Sequence, residues 1–464
     1  RVVLVDPDVR SWFQRIPDGA EEHEVERRLA ALDGDDLATI VYTSGTTGES
    51  KGVLLAHRNL MGIARSALSA FRVGPDDVLL SVLPYAHVLE RLNGVLISSC
   101  AGAQVWVSRG LDHLLEDVAD VRPTIMIGVP RLFEKVYERV LAQAAAQPLV
   151  KRWLFSWASS TGRRAALVSP GGRLLRLEAA AADRLVLAGI RRMLTGGRLR
   201  FFMSGGAPLS REVEEFFWGL GVHLLQGWGL TEVASGCVSN TETLHRFGTV
   251  GRPMPGVDLR VMPDGEILVR GPGVMLGYHC RPEATAAALE DGWLHTGDIG
   301  KLDEDGFLRV TDRKKDLMKT AGGKYVAPLP VESRLEEEPI IEWAVLVGDR
   351  RPFVSALIVP EWGALRSIHH VEGDPAALVD DPGVRGLVEE RIEGVNRDLA
   401  GFERIKAFTL LPSAFSVQSD ELTPTLKPKR RVIMGRYETV IAAMYESAAR
   451  AREAGHGAPA AGRT

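Results

Sequence analysis

The residue types best suited to binding an anion are concentrated in one short stretch, residues 42–52. Its hydroxyls can donate hydrogen bonds, its glycines let the backbone approach a ligand closely, and its lysine supplies positive charge. We expect it to hold nucleotide phosphates in a loop that joins a strand to a helix, with a flexible polar loop as the alternative. It is not a Walker A loop, because Ser50 and Gly52 flank Lys51 where that motif needs Gly and Ser or Thr. The residues predicted to contact phosphate are Thr43, Ser44, Gly45, Thr46, Thr47, Gly48 and Lys51.

Short apolar runs alternate with helical patterns through the first two-thirds of the sequence, which predicts a parallel, doubly wound sheet around this loop. One predicted helix covers residues 131–146, and another begins after Ser210, which is its predicted N-cap. The last predicted strand runs into a glycine-rich loop. The predicted strands cover residues 38–43, 124–129, 199–204 and 222–226.

The remaining sequence departs from this alternation. Residues 149–197 are rich in arginine and alanine and are predicted to form a helical insertion. Asp-Gly pairs at 264–265 and 305–306 predict hairpin turns in a small β-rich subdomain. The C-terminal part is predicted to be mixed α/β, with Asp381 as a helix cap. Its predicted strands are 344–347 and 353–359, and its predicted helices are 382–399 and 436–449.

Composition limits the classes of protein to which the chain can belong. The 464 residues carry 56 basic and 60 acidic side chains, and this balance argues against a nucleic-acid partner. A hydrophobic share of 45% is typical of a folded globular protein. The three cysteines lie far apart in the sequence, which favours a reducing compartment and therefore the cytoplasm. The first residue is not Met, and we expect the chain to be a fragment whose N-terminal part is missing.

Six segments resemble, in the same order, the signature motifs of the adenylate-forming (AMP-binding) superfamily. This superfamily includes acyl-CoA synthetases, beetle luciferases and the adenylation domains of peptide synthetases. In the third segment, Trp228 stands where the family usually has Tyr. The segments are 43–52, Ser204-Gly205-Gly206-Ala207-Pro208, Gln226-Gly227-Trp228-Gly229-Leu230-Thr231-Glu232, Gly292-Trp293-Leu294-His295-Thr296-Gly297-Asp298, Asp312-Arg313-Lys314-Lys315-Asp316 and 422–431.

The resemblance implies that ATP and Mg²⁺ bind. Thr231 would contact the α-phosphate, and Glu232 would ligate Mg²⁺, a hard cation that prefers oxygen ligands. Trp228 would stack on adenine, and Asp298 would accept hydrogen bonds from the ribose. Taken singly, Asp298 could be a turn residue, and the basic run that begins at Arg313 could be a solvated surface. Besides the loop, the implied nucleotide-binding residues are Gly205, Gly206, Ala207, Gln226, Gly227, Trp228, Asp298 and Arg313.

The C-terminal motifs imply two half-reactions. Lys427 resembles the family's catalytic lysine, which bridges a carboxylate and a phosphate, although Lys429 lies close in sequence. Lys315 matches the hinge about which the C-terminal domain rotates. After rotation, Lys319 would serve thioester formation, and the glycine loop would let coenzyme A pass close to the backbone. The residues implied to bind coenzyme A are Gly322 and Gly323.

The implied substrate is a long-chain fatty acid. His87 resembles an acyl-pocket residue, with a satisfied core histidine as the alternative. The absence of an Asp near it argues against an amino acid. Residues 129–137 and the helical insertion resemble those of long-chain fatty acyl-CoA synthetases. The alternatives are a fatty acyl-AMP ligase that loads a carrier protein, and a non-catalytic nucleotide- or acyl-binding relative.

The predicted fold is α/β, with a large N-terminal domain of doubly wound sheets and a small β-rich subdomain, followed by a hinged α+β C-terminal domain. A homodimer and peripheral contact with the inner face of a membrane are left open. For the basic residues between 163 and 200, a solvated face is favoured over an anionic lipid surface. The predicted boundaries are 1–312 for the large domain, 313–316 for the hinge, 317–452 for the small domain and 453–464 for a disordered tail.

Overall fold

The computed structural model describes residues 22–43, 50–168, 172–423 and 427–456. It is a mixed α/β structure, as predicted. The strands are β1 (Leu37–Thr43), β2 (Lys51–Ala56), β3 (Val78–Ser81), β4 (Gln104–Val107), β5 (Ile125–Gly128), β6 (Phe201–Ser204), β7 (His223–Leu230), β8 (Ser235–Ser239), β9 (Arg252–Pro253), β10 (Asp258–Val261), β11 (Glu266–Arg270), β12 (Gly277–Tyr278), β13 (Leu289–Glu290), β14 (Trp293–Leu302), β15 (Leu308–Arg313), β16 (Met318–Lys319), β17 (Tyr325–Val326), β18 (Ile341–Val347), β19 (Val354–Pro360) and β20 (Ile405–Leu410).

Helices lie between these strands and, in the insertion, follow one another. The α-helices are α1 (Glu22–Ala31), α2 (His57–Ala70), α3 (Val88–Glu90), α4 (Ser98–Ala101), α5 (Leu114–Val121), α6 (Pro130–Ala145), α7 (Leu149–Leu167), α8 (Arg173–Ala182), α9 (Ala188–Thr195), α10 (Arg211–Gly219), α11 (Pro282–Ala288), α12 (Pro328–Glu336), α13 (Trp362–His369), α14 (Pro375–Leu378), α15 (Pro382–Asn396), α16 (Arg430–Arg436) and α17 (Glu438–His456). Two π-helical turns, Arg91–Ile97 and Asp183–Leu187, and two 3₁₀ turns, Leu111–His113 and Thr231–Val233, complete the set.

The largest sheet has seven strands in the order β4-β3-β5-β6-β7-β8-β9. Its first five strands are parallel, and β8 and β9 are antiparallel to their neighbours. Strands β3 and β5 consist of short apolar runs, as expected for parallel strands that are buried along their whole length. The prediction that strand 222–226 gives way to a loop was wrong: β7 continues to Leu230, where residues 227–230 pair with β8.

The prediction that the phosphate loop joins a strand to a helix was also wrong. The loop connects two antiparallel strands, β1 and β2, and α2 begins only at His57. Strand β2 forms because Val53 and Leu55 are fully buried and because the strand is paired on both sides, by β1 and by β12.

The insertion is helical, as predicted. Helix α7 packs against α10 closely enough that a Cβ on Gly162 would lie 2.2 Å from the carbonyl oxygen of Gly219. Ala182 and Leu187 are buried in the same core. The two predicted Asp-Gly turns are also present, with positive φ at Gly265 and Gly306.

The chain divides into two compact units. Among the described residues, one unit contains those up to Val310 except 297–299, and the other contains 297–299 and those from Thr311 onward. In the second unit, a three-stranded sheet, β18-β19-β20, is covered by helices. The Asp381 side chain caps α15 by accepting a hydrogen bond from the Val384 amide at 2.9 Å, as predicted.

The C-terminal end differs from the prediction. The helix predicted over 436–449 is present as α17, which begins at Glu438 and continues past the predicted end, and a short helix that was not predicted, α16, precedes it. Residues 453–456, predicted to be disordered, continue α17, and the rest of the predicted tail lies outside the described residues. No helix in the described part of the chain has the length and apolarity needed to cross a membrane.

Candidate active site

Hydrogen bonds between the residues that flank the phosphate loop hold its two ends together. Ser50 Oγ donates a hydrogen bond to the Thr43 carbonyl at 3.0 Å, and Thr43 Oγ1 reaches the Lys51 carbonyl at 3.4 Å. The rest of the predicted phosphate contacts, Ser44, Gly45, Thr46, Thr47 and Gly48, lie outside the described residues.

A chain of contacts joins Lys51, at the end of the phosphate loop, to Tyr278 and then to Glu232. Strand β12 pairs with β2 and places the Tyr278 ring 4.7 Å from the Lys51 ammonium. The Tyr278 hydroxyl donates a hydrogen bond to Glu232 Oε1 at 2.9 Å. Burial and the neighbouring carboxylate raise the pKa of Tyr278, so its phenol stays protonated and continues to donate. The predicted phosphate lysine and the predicted Mg²⁺ ligand are therefore linked through a residue that sequence reasoning missed.

Several predicted site residues follow the carboxyl ends of parallel strands. Gly205, Gly206 and Ala207 come directly after β6, and Gln226 ends the part of β7 that pairs in parallel, whereas Thr231 and Glu232 follow the antiparallel end of β7. Ligands of open parallel sheets bind at this edge. Gly206 has a φ of +88° and open space where a Cβ would lie, so it leaves the loop surface accessible.

His87 follows the carboxyl end of β3, at the same edge, and is the N-cap residue of α3. Its Nδ1 accepts a hydrogen bond from the Leu89 amide at 3.2 Å. This contact fixes the ring and matches the alternative of a structurally satisfied histidine. It leaves the acyl-pocket role a prediction.

The side chain of Gln226 is held by the fully buried carboxylate of Glu214. Its Nε2 donates to Glu214 Oε2 at 2.9 Å, and the same carboxyl group contacts His245 Nε2 and the Gly248 amide, each at 2.9 Å. Sequence reasoning missed Glu214, although an acidic residue beside two phenylalanines on the apolar face of α10 was a usable signal. Trp228 is only 8% exposed and belongs to the hydrophobic core, so its stacking on adenine stays a prediction.

The second unit brings Asp298, Arg313 and Lys427 together. Arg313 Nε lies 3.0 Å from Asp298 Oδ1, and Asp298 is buried. Burial and, to a smaller extent, the Arg313 charge lower the pKa of Lys427 to about 8, while Asp298 opposes the change. The three residues share one electrostatic environment, as a ribose- and phosphate-binding group would require.

The two neighbouring lysines have different partners. Lys429 Nζ forms an ion pair with Asp420, whereas Lys427 interacts with Asp298 and Arg313. Hydrogen bonds between Thr423 and Lys427 hold the lysine's backbone: the Thr423 amide donates to the Lys427 carbonyl at 2.8 Å, and the Lys427 amide donates to Thr423 Oγ1 at 3.0 Å. This geometry favours Lys427 over Lys429 as the reactive lysine.

The predicted coenzyme A residues lie in one β-hairpin of the second unit. Lys319 pairs with Tyr325, and its ammonium lies 5.5 Å from that ring. Gly322 and Gly323 form the turn, where φ at Gly323 is +77° and no heavy atom lies within 4 Å of the point that a Cβ would occupy. Lys315, the predicted hinge residue, is exposed in a turn between β15 and β16.

Residues 1–279 match the AMP-binding enzyme family, and residues 315–449 match the AMP-binding enzyme C-terminal domain. The chain belongs to the AMP-binding enzyme family. Asp298 and Arg313 lie between the two matched stretches of this AMP-binding enzyme.

Curated relatives resemble most of this AMP-binding enzyme. It is 38% identical over 434 residues to the long-chain-fatty-acid–CoA ligase FadD15 of Mycobacterium bovis, covering 91% of the chain and 71% of that protein. It is 37% identical over 436 residues to the putative fatty-acid–CoA ligase fadD11 of Mycobacterium tuberculosis, covering 91% and 76%. Among solved structures, ATP-bound MatB from Rhodopseudomonas palustris is 27% identical with a TM-score of 0.63, covering 88% of this chain and 70% of that one.

Proposed function

We propose that this AMP-binding enzyme is a long-chain fatty acid–CoA ligase that uses ATP. It would first join the fatty acid to AMP with release of pyrophosphate, and then transfer the acyl group to coenzyme A. The observation that carries the proposal is the 37–38% identity, over 91% of the chain, to proteins named as fatty-acid–CoA ligases. Family membership alone would not identify the acid that is activated or the acceptor that receives the acyl group.

In the first half-reaction, a carboxylate oxygen attacks the α-phosphorus, an O–P bond forms, and the bond to the β-phosphate breaks. Lys51 supplies positive charge to the β- and γ-phosphates, and Thr231 binds the α-phosphate. Glu232 is an oxygen ligand that suits Mg²⁺, which neutralises phosphate charge when bound. The hydrogen bond from Tyr278 orients that carboxylate.

Lys427 is assigned to the reacting centre. Two anions must approach each other in this step, and an ammonium between them offsets their repulsion as pyrophosphate leaves. Asp298 would hold the ribose hydroxyls, and Arg313, 3.0 Å from it, would keep that carboxylate oriented and reach the ribose or phosphate.

In the second half-reaction, the thiol sulfur attacks the acyl carbon, a C–S bond forms, the C–O bond to AMP breaks, and the thiol proton leaves to solvent. We assign Lys319 and the open turn at Gly322 and Gly323 to this step, reached by rotation about Lys315. The domain boundaries 1–312, 313–316 and 317–452 are part of the same proposal.

A long acyl chain would gain about 0.8 kcal/mol for each buried CH₂ group, so an apolar tunnel would supply much of the binding. His87 is assigned to the mouth of this tunnel. The enzyme would work in a reducing cytoplasm, where the three thiols, which form no disulfide, stay reduced. A homodimer remains a prediction.

The test measures AMP release with palmitate, octanoate, acetate, benzoate and a mixed amino-acid pool, each with and without coenzyme A. Turnover with palmitate that requires coenzyme A is expected. Turnover restricted to small or aromatic acids would contradict the long-chain substrate but would support the two-step ligase reaction. AMP formation that ignores coenzyme A but loads a carrier protein would favour the acyl-AMP ligase alternative. Binding of ATP without any turnover would favour the non-catalytic one.

A further inference from the structure

Helix α10 carries two neighbouring carboxylates that are both buried, and a buried charge is costly unless it has partners. Glu214 is fully buried, and Glu215 is 2% exposed. Glu215 is paired with two arginines, because Arg163 and Arg211 each donate to one of its oxygens at 2.6 Å. No arginine or lysine in the described part of the chain forms an ion pair with Glu214. The two acids therefore have different surroundings, and those of Glu214 belong to the predicted nucleotide site.

The partners of Glu214 fix which way the side-chain amide of Gln226 points. Gln226 Nε2 and the Gly248 backbone amide both lie 2.9 Å from the same oxygen, Glu214 Oε2. The Gly248 amide can only donate, so Oε2 is an acceptor, and Gln226 presents its NH₂ group to it. The amide oxygen of Gln226 is thereby turned away from Glu214, and it accepts no hydrogen bond from the described residues. One acceptor of Gln226 is therefore available to a ligand.

Gln226 lies where the predicted adenine-binding loop begins. It pairs with Ser204, the last residue of β6, and Gly205 follows directly. The point that a Cβ on Gly205 would occupy lies 3.8 Å from the Gly227 carbonyl oxygen, so the glycine loop adjoins the residue after Gln226. A base bound at this loop would lie beside the Gln226 amide.

The surroundings hold Glu214 and Gln226 in place without a ligand. His245 Nε2 lies 2.9 Å from Glu214 Oε1, and the His245 ring stacks on Trp218 with a centroid distance of 4.1 Å. The Gln226 carbonyl accepts a hydrogen bond from the amide of the fully buried Asn240 at 2.9 Å. A binding group is preorganised when its neighbours fix its orientation in this way.

We propose that Glu214 is a positioning residue that selects the adenine base, because it holds the Gln226 amide oxygen ready to accept a hydrogen bond from the 6-amino group. That amino group donates, whereas the 6-oxo group of hypoxanthine or guanine can only accept and would face the same oxygen unpaired. Glu214 acts through Gln226 and does not touch the nucleotide. The inference rests on the proposed function, since it takes the nucleotide to bind at this edge of the sheet.

The experiment measures by calorimetry how tightly the full chain binds ATP and inosine triphosphate, which carries a 6-oxo group in place of the 6-amino group. Mg²⁺ is present, and acid and coenzyme A are left out. The unsubstituted chain should bind ATP about tenfold more tightly. Glu214→Leu removes the acceptor, so the Gln226 amide can reverse, and the preference should fall to about threefold or less. Gln226→Leu should lose the same preference, and adding Glu214→Leu to it should change the preference no further.

Two further variants separate positioning from a general effect on the fold. Glu214→Gln should keep the preference, because the Gly248 amide still requires an oxygen at the same point. Glu215→Leu is the matched control: it removes the neighbouring buried acid, whose partners are arginines, and should leave the preference unchanged. Circular dichroism confirms that each variant is folded. Glu214→Ala, which leaves room for water beside the Gly248 amide, replaces Glu214→Leu if the latter does not fold.

The outcomes separate this inference from the ligase reaction. Equal binding of the two nucleotides by the unsubstituted chain would overturn it and leave the ligase reaction standing. The same holds for a full preference for ATP in Glu214→Leu, and for an equal loss of preference in Glu214→Leu and Glu215→Leu. Failure of the unsubstituted chain to bind ATP at all would contradict the proposed function as well.

Discussion

Lys427 is the residue on which the first half-reaction is expected to depend. Its ammonium lies in the environment of Asp298 and Arg313, whereas the nearby Lys429 is paired with Asp420. Lys427→Ala should therefore lower acyl-AMP formation by about 10²–10³, the usual cost of removing one preorganised charge stabiliser. Thioester formation from supplied acyl-AMP should be unchanged. Lys429→Ala is the matched control and should leave both rates close to normal, and an equal loss of both half-reactions in Lys427→Ala would refute the assignment.

The pH dependence of acyl-AMP formation should report the same lysine. The protonated ammonium is the form that bridges two anions, and burial lowers the pKa of Lys427 to about 8. Activity should thus be full below pH 8 and should fall about tenfold per pH unit above it, measured as kcat/KM for ATP. Lys427→Arg keeps its charge at every accessible pH, so its weaker activity should lack this alkaline fall. If the alkaline fall in activity persists in Lys427→Arg, the titration of another group causes it.

Tyr278 is expected to position Glu232 without touching the reacting atoms. Tyr278→Phe keeps the ring beside Lys51 and removes only the hydroxyl that donates to Glu232 Oε1 at 2.9 Å. A hydrogen bond to a charged group contributes about 1.5–3 kcal/mol, so the Mg²⁺ concentration needed for half-maximal rate should rise about tenfold or more. The rate at saturating Mg²⁺ should change little.

A second tyrosine provides the control for this variant. Tyr137 donates to Glu212 Oε1 at the same distance, 2.9 Å, at a surface position on α6 and α10. Tyr137→Phe should leave the Mg²⁺ dependence unchanged. If both variants shift it equally, the effect comes from a general loss of stability, and Tyr278 has no special role.

At the scale of elements, local patterns predicted the positions of the strands but not all of their pairings. The strand that precedes Gly205 and the first half of the strand that precedes Thr231 could be read from apolar runs, whereas residues 227–230 were predicted to be a loop and instead pair with β8. Strand β2 was missed because a short apolar run after a glycine loop resembles the first turn of a helix. Tyr278 was missed because its pairing with Val53 joins residues far apart in sequence, which no local pattern encodes.

The contact between α7 and α10 gives the element-scale prediction. A Cβ at Gly162 would lie 2.2 Å from the Gly219 carbonyl oxygen and 3.0 Å from Leu187 Cδ1, so Gly162→Ala must push the helices apart. Overpacking of this kind costs about 1–3 kcal/mol, which should lower the midpoint of urea unfolding. Gly189→Ala in α9 meets no atom within 4 Å and should be neutral or stabilising, because alanine favours a helix by about 1 kcal/mol over glycine. Equal midpoints for the two variants would show that α7 can move without cost.

At the scale of the whole molecule, the two units have separate hydrophobic cores. The first unit buries apolar side chains around the seven-stranded sheet, and the second buries its own set around β18-β19-β20. Leu224 and Leu357, one in each core, are both fully buried. Because each unit has a core of its own, cooperative unfolding is expected to occur unit by unit.

Scanning calorimetry should therefore show two transitions, and matched core substitutions should assign them. Replacing a buried leucine with alanine typically costs about 2–5 kcal/mol. Leu224→Ala should lower the Tm of one transition and leave the other in place, and Leu357→Ala should do the reverse. A single transition lowered by either substitution would mean that the two cores unfold together, and any rotation about Lys315 would then have to occur without loosening either core.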